Sequence, residues 1–587
     1  MATPKTLHSD GGQPGLQGAH IRWSKELSDG EKAATQERRK FIADCLGRHL
    51  VKCDEDRVPR VALLGSGGGL RAMITLMGTL SELATQDLLD SIMYLCGVSG
   101  STWCMSSLYE DTNWSRNIKE CENRLNESLN SPIHPNPSVW HKIRAATEEG
   151  GYSLTVLWSY LVGNHMIRNI NEKNLTNHKE ACEQGINPYP IYAAVEKEHV
   201  ETARKNMPGT WFEFTPHDAG FPDYGAFVKT EAIGCQFAMG SLAAEKAQQS
   251  ICYLRGLWGS ALASEREIKT QIRDYIFNWF IGDHDGTMGL VQSFDALITK
   301  HGGIAGIHLP GIAALHLPGP AQTFLECCSA AYTLLTLPIE ELETEVGKLA
   351  LQNLEKLLEE CEKIGTQCLK PSPQVPILGW SPLKLSNRNV LLSIISTLYE
   401  KTLLVAKLMK CLIFWQWGTT HNYLYKCSSQ DTAFPSELAH KEYIHLIDAG
   451  LAINSAYPLV LRPERKVDLI LSFDFSAGDP FETLKKSAEY CKHNNIPFPD
   501  ITVEEKDEKT PSGCYIFKEP NAPTVMHFPL FNLDNCAGDI EKYRSTFSTF
   551  QTSYGKKNLD DLLRVSKLNV QKHTDKILHE LQLAVHA

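Results

Sequence analysis

The stretch that most limits what this chain can become is Ser91–Ser106, SIMYLCGVSGSTWCMS. The apolar run Ile92–Cys96 stops at Gly97, Ser99 stands between Val98 and Gly100, and a helical pattern follows. A buried strand that turns sharply into a helix through small residues holds the central residue in a strained backbone conformation and lifts its side chain clear of the sheet. That is the layout of a nucleophile elbow. The match is imperfect, because Ser101 stands where the usual pattern has glycine. An ordinary strand–helix turn reads the same stretch without any chemistry.

A second unit of the same kind comes first. Arg60–Leu64 (RVALL) predicts a buried strand, Gly65–Gly69 (GSGGG) a turn, and about Leu70 to Leu89 a long helix. Two such units in tandem predict a parallel sheet with helices on its faces. Bare backbone at Gly67–Gly69 lets N–H groups face an incoming oxygen. A Walker loop would need Lys-Ser/Thr where Leu70-Arg71-Ala72 follow, and a dinucleotide fingerprint would need glycine in place of Leu70. An oxyanion hole needs only small residues beside a nucleophile, and Ser99 supplies one. The two motifs together favour acyl transfer over nucleotide binding.

A serine hydroxyl needs a base. None of the 21 histidines ends an apolar strand; His421, in WGTTHN, comes nearest to such a setting. Asp448 closes the short strand Ile444–Ile447 and is followed by Ala449-Gly450, which admits another segment of chain. A turn or cap residue would look the same.

Along the chain, residues 1–27 are Gly-rich and polar and are expected to be disordered. Residues 28–281 are expected to form the first part of a catalytic core, 282–411 a variable, mostly helical insertion, and 412–587 the rest of the core with a C-terminal amphipathic helix. Val390–Trp415 is apolar but interrupted by Glu400, Lys401, Lys407 and Lys410, so it falls short of the ~20 residues that span a bilayer. It reads as a helix docked on the core or as a cap touching lipid. A net charge of −11 and a pI near 6.0 argue against nucleic acid as a partner. Seventeen scattered cysteines without a C-x-x-C pair read as reduced thiols in a cytoplasmic chain, with no zinc site. No secretory signal, myristoylation site or prenylation cysteine is expected from the ends of the sequence.

GSGGGLRAM (Gly65–Met73), GVSGSTW (Gly97–Trp103) and DAGLAINSAYPLVLRPERKVDLILSFDFSAGDPFETL (Asp448–Leu484) resemble the cytosolic phospholipase A2 family, the group-four enzymes. WFEFTPHDAG, LRGLWGSAL and WGTTHNYLY agree, and the gamma-type, calcium-independent branch is the nearest. The resemblance covers about residues 30–265 and 412–575. It implies a three-layer α/β/α, patatin-like core with a mostly helical cap. It also implies a dyad without histidine: Ser99 as nucleophile, Asp448 as base, and Gly68 and Gly69 as oxyanion donors. Arg71 and Arg465 would bind the substrate phosphate, Arg462 being a weaker candidate for the second role. No metal or cofactor is implied.

The implied activity is hydrolysis of fatty-acyl esters of glycerophospholipids through an acyl-enzyme, with lysophospholipase and transacylase activity. The implied partners are a phospholipid membrane surface and phospholipid and lysophospholipid substrates, met in the cytoplasm at intracellular membranes. About sixty residues precede the first motif, so the calcium-binding β-sandwich most relatives carry is not expected. Lipid contact would then fall to Gly302–Pro320 and Val390–Trp415. The competing reading is a catalytically silent lipid-binding or adaptor protein on the same scaffold.

Overall fold

The computed structural model describes residues 18–132, 138–148, 152–202, 206–260, 265–281, 319–368, 385–427, 434–549 and 551–586. They fall into two units, one of Met1–Pro132, Leu161–Leu262 and Gly418–Ala587, the other of Ile133–Tyr160 and Ala263–Trp417.

The first unit is built on a sheet with strands β1 (Arg22–Trp23), β2 (Val61–Gly65), β3 (Tyr94–Gly97), β4 (Tyr189–Glu196), β5 (Trp211–Phe214), β6 (Asp218–Phe221) and β7 (Ala226–Lys229). After a separate hairpin, β8 (Gln236–Ala238) and β9 (Ser241–Ala244), come β10 (Thr419–His421), β11 (Tyr443–Asp448), β12 (Leu469–Asp474), β13 (Tyr515–Phe517) and β14 (Thr524–Pro529). The strand order is β1-β7-β6-β5-β4-β3-β2-β12-β14-β13. Its centre, β4-β3-β2-β12-β14, is parallel. Strands β2, β3, β4 and β12 are buried at every residue, which is why they read as continuous apolar runs without a period.

Helices cover the sheet in a three-layer α/β/α core. α1 (Asp29–Arg48) starts at Ser28, whose Oγ accepts from Glu31 N at 3.1 Å. α2 (Gly69–Thr85) is buried from Gly69 through Leu83, as a helix apolar all round must be. It packs against α3 (Gly100–Leu108) and against the helix Lys556–Gln571. Gly78 permits the second contact: a methyl group there would stand 2.2 Å from Ser566 Oγ.

Two expected boundaries are corrected. Within the stretch 1–27 expected to be disordered, Arg22–Trp23 pairs with β7, and Arg22 is bonded to Asp218 at 2.9 Å. One strand pairing of two residue pairs and a side-chain anchor fix a segment whose composition looks like a tail; residues 1–17 lie outside the described ones. The helical unit is also wider than 282–411. Trp140 stacks on Trp279 and Tyr275, with centroids 4.1 and 5.1 Å apart, joining the helices Ser138–Glu148 and Glu265–Ile281. Most of Gly302–Pro320 lies outside the described residues. Among the described residues no helix is long and apolar enough to cross a membrane.

Candidate active site

The site follows from how β4 is shared. Along one edge, Tyr192–Val195 pairs with β5. On the other edge two strands divide β4 between them: β3 pairs with Tyr189–Tyr192 and β11 with Ala194–Glu196. β3 runs parallel to β4 and β11 antiparallel, so their C-terminal ends point at each other. Gly97 ends opposite Tyr192 and Asp448 opposite Ala194, two residues or about 7 Å apart along β4. Ser99 and Asp448, 349 residues apart in sequence, are brought to one place by backbone pairing.

β2 brings the third part. Its last residue, Gly65, pairs with Gly97, so the turn after β2 lies beside the turn after β3. A methyl on Gly100 would stand 1.9 Å from Gly69 O, and one on Gly67 would stand 2.8 Å from Ser99 Cβ. Only glycines allow this approach. The N-termini of α2 and α3 therefore meet, and both direct positive dipole ends at the same space. Ser99 has φ 52° and ψ −125°, the strained turn expected of an elbow.

The loop is held by bonds that leave specific donors unspent. Gly67 N donates to Asn454 O at 3.1 Å and Ser66 N to Phe473 O at 3.1 Å. Ser101 Oγ donates to Ser66 O at 2.6 Å, and Phe475 N donates to Ser66 Oγ at 2.7 Å. Ser101, the departure from the usual elbow pattern, thus ties the two turns together. Among the described bonds, the N–H groups of Gly68 and Gly69 have no acceptor. Gly68 has φ +148° and Gly69 φ +59°, a pair of values that L side chains rarely adopt.

Asp448 is fully buried. Its N–H donates to Ser260 Oγ at 3.0 Å, and its Oδ1 accepts from Gly450 N at 2.8 Å. Ser260 follows Gly259, against which the Trp103 ring of α3 packs; a methyl on Gly259 would meet that ring at 2.4 Å. Trp103 Nε1 donates to Arg255 O at 2.9 Å, and Arg255 donates to Ser106 and Ser107, both at 2.8 Å. One short segment, Arg255–Ser260, therefore locks the helix that carries Ser99 and the strand end that carries Asp448.

Arg71 is buried beside this loop. It donates to Phe475 O at 2.6 Å, Phe547 O at 2.5 Å and Thr549 Oγ1 at 3.1 Å. Three of its five N–H groups are so used, and its guanidinium lies over Gly68, where a methyl would be 2.7 Å from Nη2. Burial pushes its pKa down from the ordinary arginine value, while Tyr554 and Asp474 act the other way.

Arg465 is a correction. All five of its N–H groups are committed: to Glu31 at 2.9 and 3.0 Å, to Glu213 at 2.8 and 3.2 Å, and to Leu459 O at 2.6 Å. Its guanidinium also lies 5.7 Å from the Tyr94 ring. Tyr94 begins β3, at the opposite end from Ser99. No donor remains for a phosphate. Arg462 shares the same cluster through Glu213 at 2.5 Å. His421 stands opposite Tyr443, the first residue of β11, five residues or about 17 Å from Asp448.

Sequence reasoning did not single out Asn454, Ser260 or Ser66. Asn454 was legible only as the asparagine of DAGLAIN, six residues past Asp448.

A family model described as the lysophospholipase catalytic domain matches residues 61–267. Cytosolic phospholipase A2 gamma of Mus musculus is 37% identical over 95% of this chain and 91% of its own length. The Homo sapiens protein of that name is 37% identical over 94% of each. The solved structure of human GIVD cytosolic phospholipase A2 shares the fold, with a TM-score of 0.63 at 24% identity, covering 97% of this chain and 66% of that one. With Ser99, Asp448 and the glycine turn converging on one point and relatives of this identity along nearly the whole length, the chain belongs to the cytosolic phospholipase A2 family.

Proposed function

We propose that this chain hydrolyses fatty-acyl esters of glycerophospholipids at a membrane surface in the cytoplasm, without calcium, through a Ser99–Asp448 dyad and an acyl-enzyme. The observation that carries the reading is the end-to-end meeting of β3 and β11 on β4. Ser99 Oγ attacks the ester carbonyl carbon, and its proton passes to Asp448. The carbonyl oxygen becomes an oxyanion and takes hydrogen bonds from Gly68 N and Gly69 N, one such donor being worth about 3–4 kcal/mol of barrier. Collapse breaks the ester C–O bond, and the departing lysophospholipid oxygen takes the proton from Asp448. Water then attacks the acyl carbon and gives a proton to Asp448, which passes it to Ser99 Oγ as the acyl–serine bond breaks, releasing fatty acid and free Ser99.

Arg71, with two N–H groups to spare among the described bonds, is the proposed partner of the substrate phosphate. Lysophospholipids fit the same site as substrates, and as acyl acceptors in transacylation. Calcium independence and attachment to intracellular membranes rest on the resemblance to the gamma-type branch.

The test is release of labelled fatty acid from phosphatidylcholine vesicles in excess chelator, by the parent, Ser99→Ala and Asp448→Asn. Activity in the parent and its loss in both folded variants is the expected result. Binding of vesicles without release in the parent would favour the silent lipid-binding reading instead.

A further inference from the structure

Asn454 makes contacts that the dyad alone does not explain. Its backbone oxygen accepts from Gly67 N at 3.1 Å, and its Nδ2 donates to Gly67 O at 3.2 Å and to Ser476 Oγ at 3.1 Å. A carbonyl oxygen only accepts, so the side-chain nitrogen must face Gly67 O, and the orientation of the amide is settled by the network. That leaves Oδ1, an acceptor, on the other side. A methyl on Gly67 would stand 2.4 Å from Asn454 Oδ1 and 2.8 Å from Ser99 Cβ. A methyl on Gly450 would stand 3.0 Å from the same Oδ1 and 3.1 Å from Asp448 Oδ1. The amide oxygen thus lies close to both the serine and the aspartate, and among the described hydrogen bonds it accepts none.

We propose that Asn454 Oδ1 holds the water that cleaves the acyl-enzyme, and so biases the site toward hydrolysis over transfer to alcohols. The inference rests on the dyad reading above. Water brings two O–H groups to the acyl carbon. One proton passes to Asp448 as the new C–O bond forms and is then delivered to Ser99 Oγ as the acyl–serine bond breaks. The second O–H stays on the nucleophile and is donated to Asn454 Oδ1, which fixes the direction of the attacking lone pair. An alcohol, such as a lysophospholipid hydroxyl, has a single O–H. That proton goes to Asp448, and the alcohol has nothing left to give Asn454. Removing the amide oxygen therefore slows attack by water more than attack by an alcohol.

The experiment measures partition from one intermediate. Phosphatidylcholine vesicles with a labelled acyl chain are incubated with the parent and with Asn454→Ala in graded methanol, and labelled methyl ester is compared with free fatty acid. Both products arise from the same acyl-enzyme, so damage to acylation or to the oxyanion loop lowers both and leaves their ratio alone. Loss of one neutral hydrogen bond to the water raises the ester-to-acid ratio in Asn454→Ala by up to about tenfold. Asn454→Asp keeps an acceptor oxygen while losing the donor to Gly67; its total turnover falls but its ratio stays near the parent's. Should Asn454→Ala fail a thermal-melt check, Asn454→Ser, which retracts the oxygen, gives the same rise. A ratio unchanged in the variants that lack the oxygen, with both products forming, overturns this inference and leaves the dyad standing. Absence of both products in the parent overturns the dyad reading and this inference with it.

Discussion

Gly100→Ala puts the oxyanion geometry under direct strain. The added methyl would stand 1.9 Å from Gly69 O, 2.6 Å from Gly69 C and 2.9 Å from Gly69 Cα. An ordinary carbon–oxygen contact is about 3.4 Å, so the two backbones must part by about 1.5 Å. The obstacle is main chain, and no rotamer change relieves it. α3 stays anchored at Trp103, Ser106 and Ser107 through Arg255, so the movement is taken up where Gly68 and Gly69 present their N–H groups. Donors act on an oxyanion only within about 2.7–3.1 Å, and misplacement by about 1 Å costs about 100-fold. The expected result is a fall in kcat for fatty-acid release of about 100-fold or more, near 2.7 kcal/mol of barrier, with a cooperative melt retained. A folded variant with kcat near the parent's would refute the assignment of Gly68 and Gly69 as donors.

Gly78→Ala perturbs the opposite quantity: its methyl meets Ser566 Oγ at 2.2 Å, so stability falls by about 1–3 kcal/mol in denaturant titration while kcat per folded molecule is kept. Arg465→Gln leaves Glu31 and Glu213 buried without their shared cation, and unfolding free energy drops by about 3–5 kcal/mol; a raised KM at unchanged stability would instead restore a phosphate-binding role. Acid destabilises the fold early. Burial pushes His178 down to about 3 and also lowers His527, so the unfolded chain binds protons below about pH 6.5 that the folded chain refuses, each such histidine contributing a slope of about 1.4 kcal/mol per pH unit. Urea midpoints that stay flat from pH 7.5 to pH 5 would contradict this. Glu213 adds a later loss: burial would raise its pKa, but Arg462 and Arg465 outweigh it and hold the carboxyl below its ordinary value, so its contribution is present above the usual carboxylate range and disappears as pH falls through the depressed value.

How far the site could be read in advance depended on how local its parts are. The two strand–glycine–helix units were legible because apolar runs, glycines and helical spacing are neighbours in sequence; the strands expected at Arg60–Leu64 and Ile92–Cys96 form at Val61–Gly65 and Tyr94–Gly97. β4 was not legible in advance. All eight of its residues are buried, so it carries no alternation to distinguish a strand from a buried helix. Arg465 shows the converse failure. An arginine inside a family motif reads as a ligand for substrate, and only the approach of Glu31 and Glu213, more than 400 and 250 residues away in sequence, shows that its charge is spent on the fold.

The sequence alone determined the chemical inventory: a serine at a strained turn, a glycine loop able to expose backbone donors, and an aspartate closing a strand. Each depends on residues within a few positions of one another, where sterics and backbone preference act directly. Tertiary structure decided which of these act together. β11 enters antiparallel and stops two residues short of β3 along β4, and that long-range pairing, which no local propensity encodes, brings the strand end carrying Asp448 up to the turn carrying Ser99.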